Sequence, residues 1–195
     1  HTISRRQRQM CIRDRSTRGG DGSTMVEGFV NIPLSNNVAL RFVGYNDRDG
    51  GFIDSVKDTI TYPVSGITRS NELFVDENFN DAVKDGYRAA LRVDLNENWK
   101  LDVNTMGQET ATNGVWDHNP DELGTYNVSR FYDDKSHDEW TRFSTTLTGD
   151  LGFADLTFTT SSLDRDFEFL SDYSHYSIDC YVAVSYTHLR AHETY

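Results

Sequence analysis

No stretch of this 195-residue sequence approaches the roughly 18 consecutive apolar residues that a membrane-spanning helix requires. Leu, Ile and Val are thinly spread, and the mean hydropathy is −0.63. That argues against helical membrane spans but leaves β-barrel spans open. A barrel strand crosses with about 10 residues, half of them facing a polar lumen. Cysteine is scarce too: Cys11 and Cys180 stand at opposite ends, which does not make a disulfide framework. Basic charge is short, with 19 Lys and Arg against 31 Asp and Glu for a net charge of −12. An acidic chain is a poor partner for nucleic acid or for anionic lipid reached through a polybasic patch. There is no GxSxG, HExxH, phosphate-binding glycine loop or CxxC, so no enzymatic activity, cofactor or metal is expected. No apolar segment follows the first Arg residues as a secretion signal would require, so an outer-membrane protein would have its true N-terminus missing here.

What is abundant is aromatic: ten Tyr and eleven Phe, 12% of the chain with Trp included. Residues 1–15 are basic, carry neither helical nor strand periodicity, and read as a disordered tail. The segments RQRQMCIRDR near the head and VSYTHLRAHET at 184–194 closely resemble translated sequencing-adapter DNA. Residues 1–15 and 184–195 are therefore set aside from fold reasoning. Removing five Arg and Asp14 at the head, and Arg190 and Glu193 at the tail, takes 19 basic and 31 acidic residues to 13 and 29. The net charge of the remainder is near −16.

Three short polar segments read as tight turns: Ser35-Asn36-Asn37, Asn96-Glu97-Asn98 and Gly149-Asp150-Leu151-Gly152. Each is flanked by period-two alternation. Before the second, Tyr87, Ala89, Leu91, Val93 and Leu95 share a face, opposite Arg88, Ala90, Arg92 and Asp94. After it, Trp99, Leu101, Val103 and Thr105 oppose Lys100, Asp102 and Asn104. Around the third, Phe143, Thr145 and Leu147, then Ala154, Leu156 and Phe158, face away from Arg142, Ser144, Asp155 and Thr157. The first hairpin is less regular, with Val26, Val30, Ile32 and Leu34 on one face and Leu40 and Phe42 opposite Arg41. One apolar and one charged face is the signature of half-buried antiparallel strands.

Between the hairpins lie long acidic excursions, roughly 55–84, 111–138 and 166–181. Regular alternation of short turns with long loops, aromatics (Tyr87, Trp99) at both ends of the apolar face, and charges of both signs on the other face favour an outer-membrane barrel over a soluble sandwich. Unstructured loops of some 30 residues also sit badly in a compact soluble domain. The expected fold is all-β: an antiparallel up-and-down transmembrane barrel over 16–183, partial, with about six strands of a larger one.

Residues 19–54, GGDGSTMVEGFVNIPLSNNVALRFVGYNDRDGGFID, add a resemblance. Asn31-Ile32-Pro33-Leu34 entering a turn, Ala39-Leu40-Arg41 leaving it, and Asp49-Gly50-Gly51-Phe52-Ile53-Asp54 at the exit look like the barrel of TonB-dependent outer-membrane receptors. Segments 85–103 and 153–167 are consistent with the same barrel but less specific. The resemblance implies a 22-stranded barrel with a plug domain, in the bacterial outer membrane, surrounded by lipid. It implies active import of a scarce nutrient, such as a ferric chelate (a siderophore), driven through TonB contacts made by a region upstream of this segment. A passive porin-like channel and a secreted soluble all-β binding module are the alternatives.

On that reading the outer loops contact the ligand, and Trp116, His118, Tyr126, Tyr132 and Tyr173 are the candidate contact residues, although loop aromatics commonly pack the loops together. His118, His137 and His175 are scattered, and exposed loop histidine is the ordinary reading. The run Asp133-Asp134-Lys135-Ser136-His137-Asp138-Glu139 has the carboxylates a hard cation wants but lacks the spacing of a dedicated calcium loop.

Overall fold

The computed structural model describes residues 7–178. Eleven strands account for nearly all its regular structure: β1 Gln7–Ser16, β2 Gly22–Pro33, β3 Val38–Asp49, β4 Asp54–Ser55, β5 Thr59–Thr61, β6 Thr68–Ser70, β7 Ala82–Asp94, β8 Trp99–Asn113, β9 Asn127–Val128, β10 Lys135–Asp150 and β11 Asp155–Leu170. Seven of them form one antiparallel sheet in the order β1-β2-β3-β7-β8-β10-β11. Every long strand pairs with the next long strand along the chain, so the sheet is a simple meander. It is open, with β1 and β11 as its edges. The fold is all-β.

The turns follow from local chemistry. Asn96 Oδ1 accepts from the backbone N–H of Asn98 (2.9 Å) and Trp99 (3.0 Å), closing the β7–β8 turn as an Asx turn. Ser35 Oγ does the same for Asn37 N–H in the β2–β3 turn. The third turn falls two residues later than the sequence suggests. Gly149 and Asp150 remain in β10, and the reversal is made by residues 151–154, with Leu151 N–H bonding Ala154 O at 2.9 Å and Gly152 at φ +82°.

Strand register carries the alternation across the whole sheet. Ile32, Leu40, Leu91 and Val103 lie in one cross-strand row, and Val93, Leu101, Leu147 and Phe158 in another. Among the described residues nothing covers this face: Phe42, Tyr87, Phe143 and Phe158 are 45, 48, 50 and 60% exposed. The opposite face is polar and tied together. Arg92 grips Asp102 with two bonds of 2.8 and 3.0 Å, Arg88 reaches Asn104 at 3.1 Å, and the Arg41 guanidinium sits 4.3 Å over the Phe29 ring. The sheet is thus one layer thick. Of the buried apolar residues, Ile53, Ile60, Val128 and Phe131 lie outside it, in the long connections, and Ala82 stands at the outer end of β7.

Two expectations change. The loops are shorter than the hydropathy pattern implies, because β7 begins at Ala82, β8 runs to Asn113, β10 starts at Lys135 and β11 continues to Leu170. The outer ends of these strands are rich in Thr, Glu and Asp, so apolar alternation fades while backbone pairing continues. Likewise the head, expected to be disordered, is from Gln7 onward an edge strand paired along β2. All ten of its residues are exposed, so it is held by backbone pairing with β2 and by Arg15 reaching Asp47 and Asp49, and no side-chain period is needed. The far terminal segment 184–195, residues 1–6 and Cys180 lie outside the described residues.

Aromatic rings lean over glycines in the neighbouring strand. Tyr45 and Gly86 are register partners, as are Tyr87 and Gly107, and Trp99 and Gly149. A Cβ on Gly107 would meet the Tyr87 ring at 2.8 Å, and one on Gly86 would overlap the Tyr45 ring. A Cβ on Gly44 meets nothing within 4 Å. Gly86→Val is therefore expected to cost about 1–3 kcal/mol by overpacking, and Gly44→Val to lack that clash. Denaturant midpoints in detergent would compare them. Equal midpoints would mean that the rings do not hold these positions.

Candidate functional site

All long connections emerge at one end of the sheet: residues 50–81, 114–134 and the segment from 171. They pack into a cap, and the cap is where the chain has a buried interior. Its seat is the Asp49–Asp54 exit. A Cβ on Gly50 would come within 2.5 Å of Asp21 O, and one on Gly51 would run into the Asn78 carbonyl. Only glycine lets the three backbone segments approach this closely. Asn80 Oδ1 then accepts the N–H groups of Phe52 (2.7 Å) and Ile53 (2.8 Å), and Asp54 Oδ1 accepts that of Asn78 (2.9 Å). Ile53 is 1% exposed.

From this seat β4 pairs in parallel with β9, joining the first long connection to the second. Asn71, fully buried, stitches the first connection to itself: its Oδ1 accepts from Asp58 N–H at 2.7 Å and its Nδ2 donates to Val56 O at 2.8 Å. Ser129 Oγ donates to Asp58 Oδ2 (2.8 Å) and lies 2.8 Å from His175 Nε2. These are the residue types of a hydrolytic triad in a different order. The serine stands between the acid and the histidine, is itself fully buried, and joins three connections. Asp172 completes the closure, accepting from Phe131 N–H at 2.5 Å.

The five candidate contact residues fall into three places. Trp116, His118 and Tyr126 come together: Phe52 meets Trp116 (5.8 Å between centroids) and Tyr126 (5.7 Å) edge-on, and His118 lies 5.5 Å from Tyr126. Tyr126 adopts φ +64°, unusual for a bulky residue, with its carbonyl held by Asp54 N–H at 2.9 Å. Tyr132 sits elsewhere, beside Phe74 at 6.2 Å, with its hydroxyl accepting from Arg69 at 2.7 Å. Tyr173 packs against Tyr176 at 6.0 Å.

The acidic run 133–139 does not converge. Asp133 pairs with Lys135 at 3.1 Å. From Lys135 the run is strand, so Ser136 and Asp138 face one side and His137 and Glu139 the other. Asp138 is taken by Arg165 at 2.7 and 2.9 Å. Among the described residues, no three of His, Cys, Asp and Glu form a metal-holding group.

Beside the cap's core lies a cleft of about 600 Å³ between segments 72–81 and 130–135. Arg130 and Asp134 both line it and are nearly buried, 10 and 2% exposed at their side chains. Arg130 Nε and Asp134 Oδ2 are 3.2 Å apart, yet neither atom makes a hydrogen bond. The pair is electrostatic without directed bonding, and Arg130 turns its other donors to Asp117. Asn71, Asn80, Ser129 and Arg130 gave no signal in the sequence, being polar loop residues with no shared spacing, and Asp134 and His175 stood out only as part of an acidic run and as a scattered loop histidine.

No family model, curated sequence or solved structure matches the chain.

Burial pushes the Asp134 carboxyl above its ordinary value, opposed by Arg130 and reinforced by Asp117 and Asp172. The folded cap therefore holds this proton more tightly than the unfolded chain does. The associated stability is complete below the ordinary carboxylate value and is lost as pH rises through the raised one. Hydrogen-exchange protection of the cap, corrected for intrinsic rates, should fall across that window in the wild type. It should fall less in Asp134→Asn. Parallel profiles would contradict the assignment.

Proposed function

We propose that the sheet is a stretch of the wall of a transmembrane β-barrel in the bacterial outer membrane. On this reading the chain is part of a TonB-dependent receptor that actively imports a scarce nutrient, such as a ferric chelate. The observation that carries the barrel reading is a one-layer meander with three tight turns at one end, the long connections and the short 17–21 turn at the other, and an apolar face without cover among the described residues. In water such a face lacks the second layer that soluble folds supply. In a membrane, lipid is that layer, and the ion-paired face lines a wet lumen. On β8 the apolar-face row runs Trp99, Leu101, Val103, Thr105 and Gly107 before turning acidic at Glu109. That length suits the 9–11 residues of a tilted membrane strand. Two open edges also fit a wall that continues, since membranes do not tolerate unpaired strand edges.

Import, rather than passive passage, rests on the resemblance of residues 19–54. The Asp49–Asp54 motif there has a structural use, as the glycine seat of the loop cap. Sequencing the source gene outward from residues 20–180 tests it. A plug domain upstream supports the receptor, and strands without a plug would make it a porin-like channel.

Three measurements test the barrel itself. In aqueous buffer the chain alone should associate through its face and edges, and a monodisperse soluble monomer on size exclusion would overturn the reading. In the membrane-inserted protein, Leu91→Arg or Leu101→Arg should cost about 2–4 kcal/mol near mid-bilayer. Arg92→Gln, losing a half-exposed ion pair, should cost about 0.2–1 kcal/mol. In single-tryptophan variants, brominated lipid should quench Trp99, on the apolar face, and spare Trp140, on the polar one. Equal quenching contradicts the face assignment.

A further inference from the structure

Strand β11 ends the sheet with a bare edge. It pairs with β10 over its whole length, Asp155 to Leu170, and among the described residues nothing pairs with its other side. The backbone N–H and C=O groups along that side are left for another strand. β1 is the sheet's other edge, but it lies in the basic head that resembles adapter-derived sequence. The edge of β11 is therefore the informative one.

The side chains of β11 say what kind of strand fits there. Leu156 and Phe158 lie on the apolar face near the turn, and the same face carries Asp164, Asp166 and Glu168 towards the loops. Asp166 ends a cross-strand row of carboxylates that runs Asp85, Glu109, Glu139 and Asp166. Like charges directly opposite one another destabilise a strand pair. Towards β3 the row is relieved, because Asn46 donates to Asp85 at 2.7 Å and His137 lies 3.9 Å from Glu109. At β11 it is not: among the described residues Asp164, Asp166 and Glu168 make no side-chain ion pair or hydrogen bond. The opposite face of the strand differs. There Arg165 turns back to β10 and grips Asp138 with bonds of 2.7 and 2.9 Å.

We propose that the free edge of β11 receives an antiparallel strand whose side chains on this face are apolar beside Leu156 and Phe158 and basic, Lys or Arg, beside Asp164, Asp166 and Glu168. Backbone pairing supplies the attachment, and the charge match supplies the selectivity and the register. The proposal rests on reading the sheet as a wall that continues, and it specifies the chemistry of the next strand. A second copy of β11 is a poor occupant, because the strand carries no basic residue on this face and would add carboxylates to carboxylates.

The test is fluorescence-anisotropy titration of the detergent-solubilised full chain with two labelled synthetic strands of β11's length. Both have leucine beside Leu156 and Phe158 and threonine elsewhere. One carries lysine beside Asp164, Asp166 and Glu168, and the other carries glutamate. The lysine strand should bind about tenfold more tightly, and the preference should shrink as salt rises. Hydrogen exchange should slow along β11 in its presence and not along β1. Asp164→Asn, Asp166→Asn and Glu168→Gln together should erase the preference while the edge still pairs. Asp121→Asn with Glu122→Gln, on the loop cap, should preserve it. Absence of binding, equal affinity for the two strands, or protection at β1 in place of β11 overturns the proposal. So does protection of β11 that rises with chain concentration alone, which would make a second copy the occupant. Lipid quenching of Trp99 reports the membrane separately, so the edge and the barrel reading can each fail alone.

Discussion

A sheet one layer thick must find cover for an apolar face, and this constraint organises the molecule. Its apolar row from Ile32 through Leu40 and Leu91 to Val103 is continuous across four strands, yet among the described residues no helix or second sheet lies against it. At about 25 cal/mol per Å² of apolar surface, an uncovered face of this extent forgoes the main force that stabilises soluble domains. What holds the sheet together instead is backbone pairing along strands of up to 16 residues, with charge pairs on one face and rings over glycines on both. Those terms are local to the sheet and do not draw on burial of its apolar face.

The loop cap works by the opposite logic. Its apolar core is small, and polar side chains do the closing. Asn80 and Ser129 bond across segments distant in sequence, and Asn71 ties the first connection to itself. Buried amide and hydroxyl oxygens paired in this way favour one arrangement of the loops, because another leaves them unpaired. The cap can therefore present a defined surface on top of an open sheet. The glycine seat at Gly50 and Gly51 is the joint between the two regimes: it brings the end of β3, the 17–21 turn and the 76–80 segment into direct backbone contact.

Legibility differed between these regimes for a physical reason. Sheet alternation has a fixed period of two, so Tyr87 to Leu95 and Trp99 to Thr105 disclosed their faces directly, and two of the three turns were placed by their Asn residues. The reading weakened where the period carried no hydropathy, at the Thr- and acid-rich outer ends of β8, β10 and β11, and failed at β1, which is exposed throughout. Among the candidate contact residues, the aromatic types Trp116 and Tyr126 were rightly seen as loop residues, but only their shared contact with Phe52, more than sixty residues away in the chain, makes them neighbours.

The sequence by itself determined an all-β chain, the antiparallel hairpins, their faces and the concentration of acidic residues in the long connections. These are properties of neighbours in the chain, and backbone geometry fixes them within each hairpin. Tertiary structure alone decided that the apolar face has no cover among the described residues, that the run 133–139 is divided between two sides of a strand, and that Arg130 and Asp134 meet carboxylates from another segment at one cleft. Each depends on loop closure over tens of residues. No local pattern encodes such closure, and satisfying buried polar groups selects it.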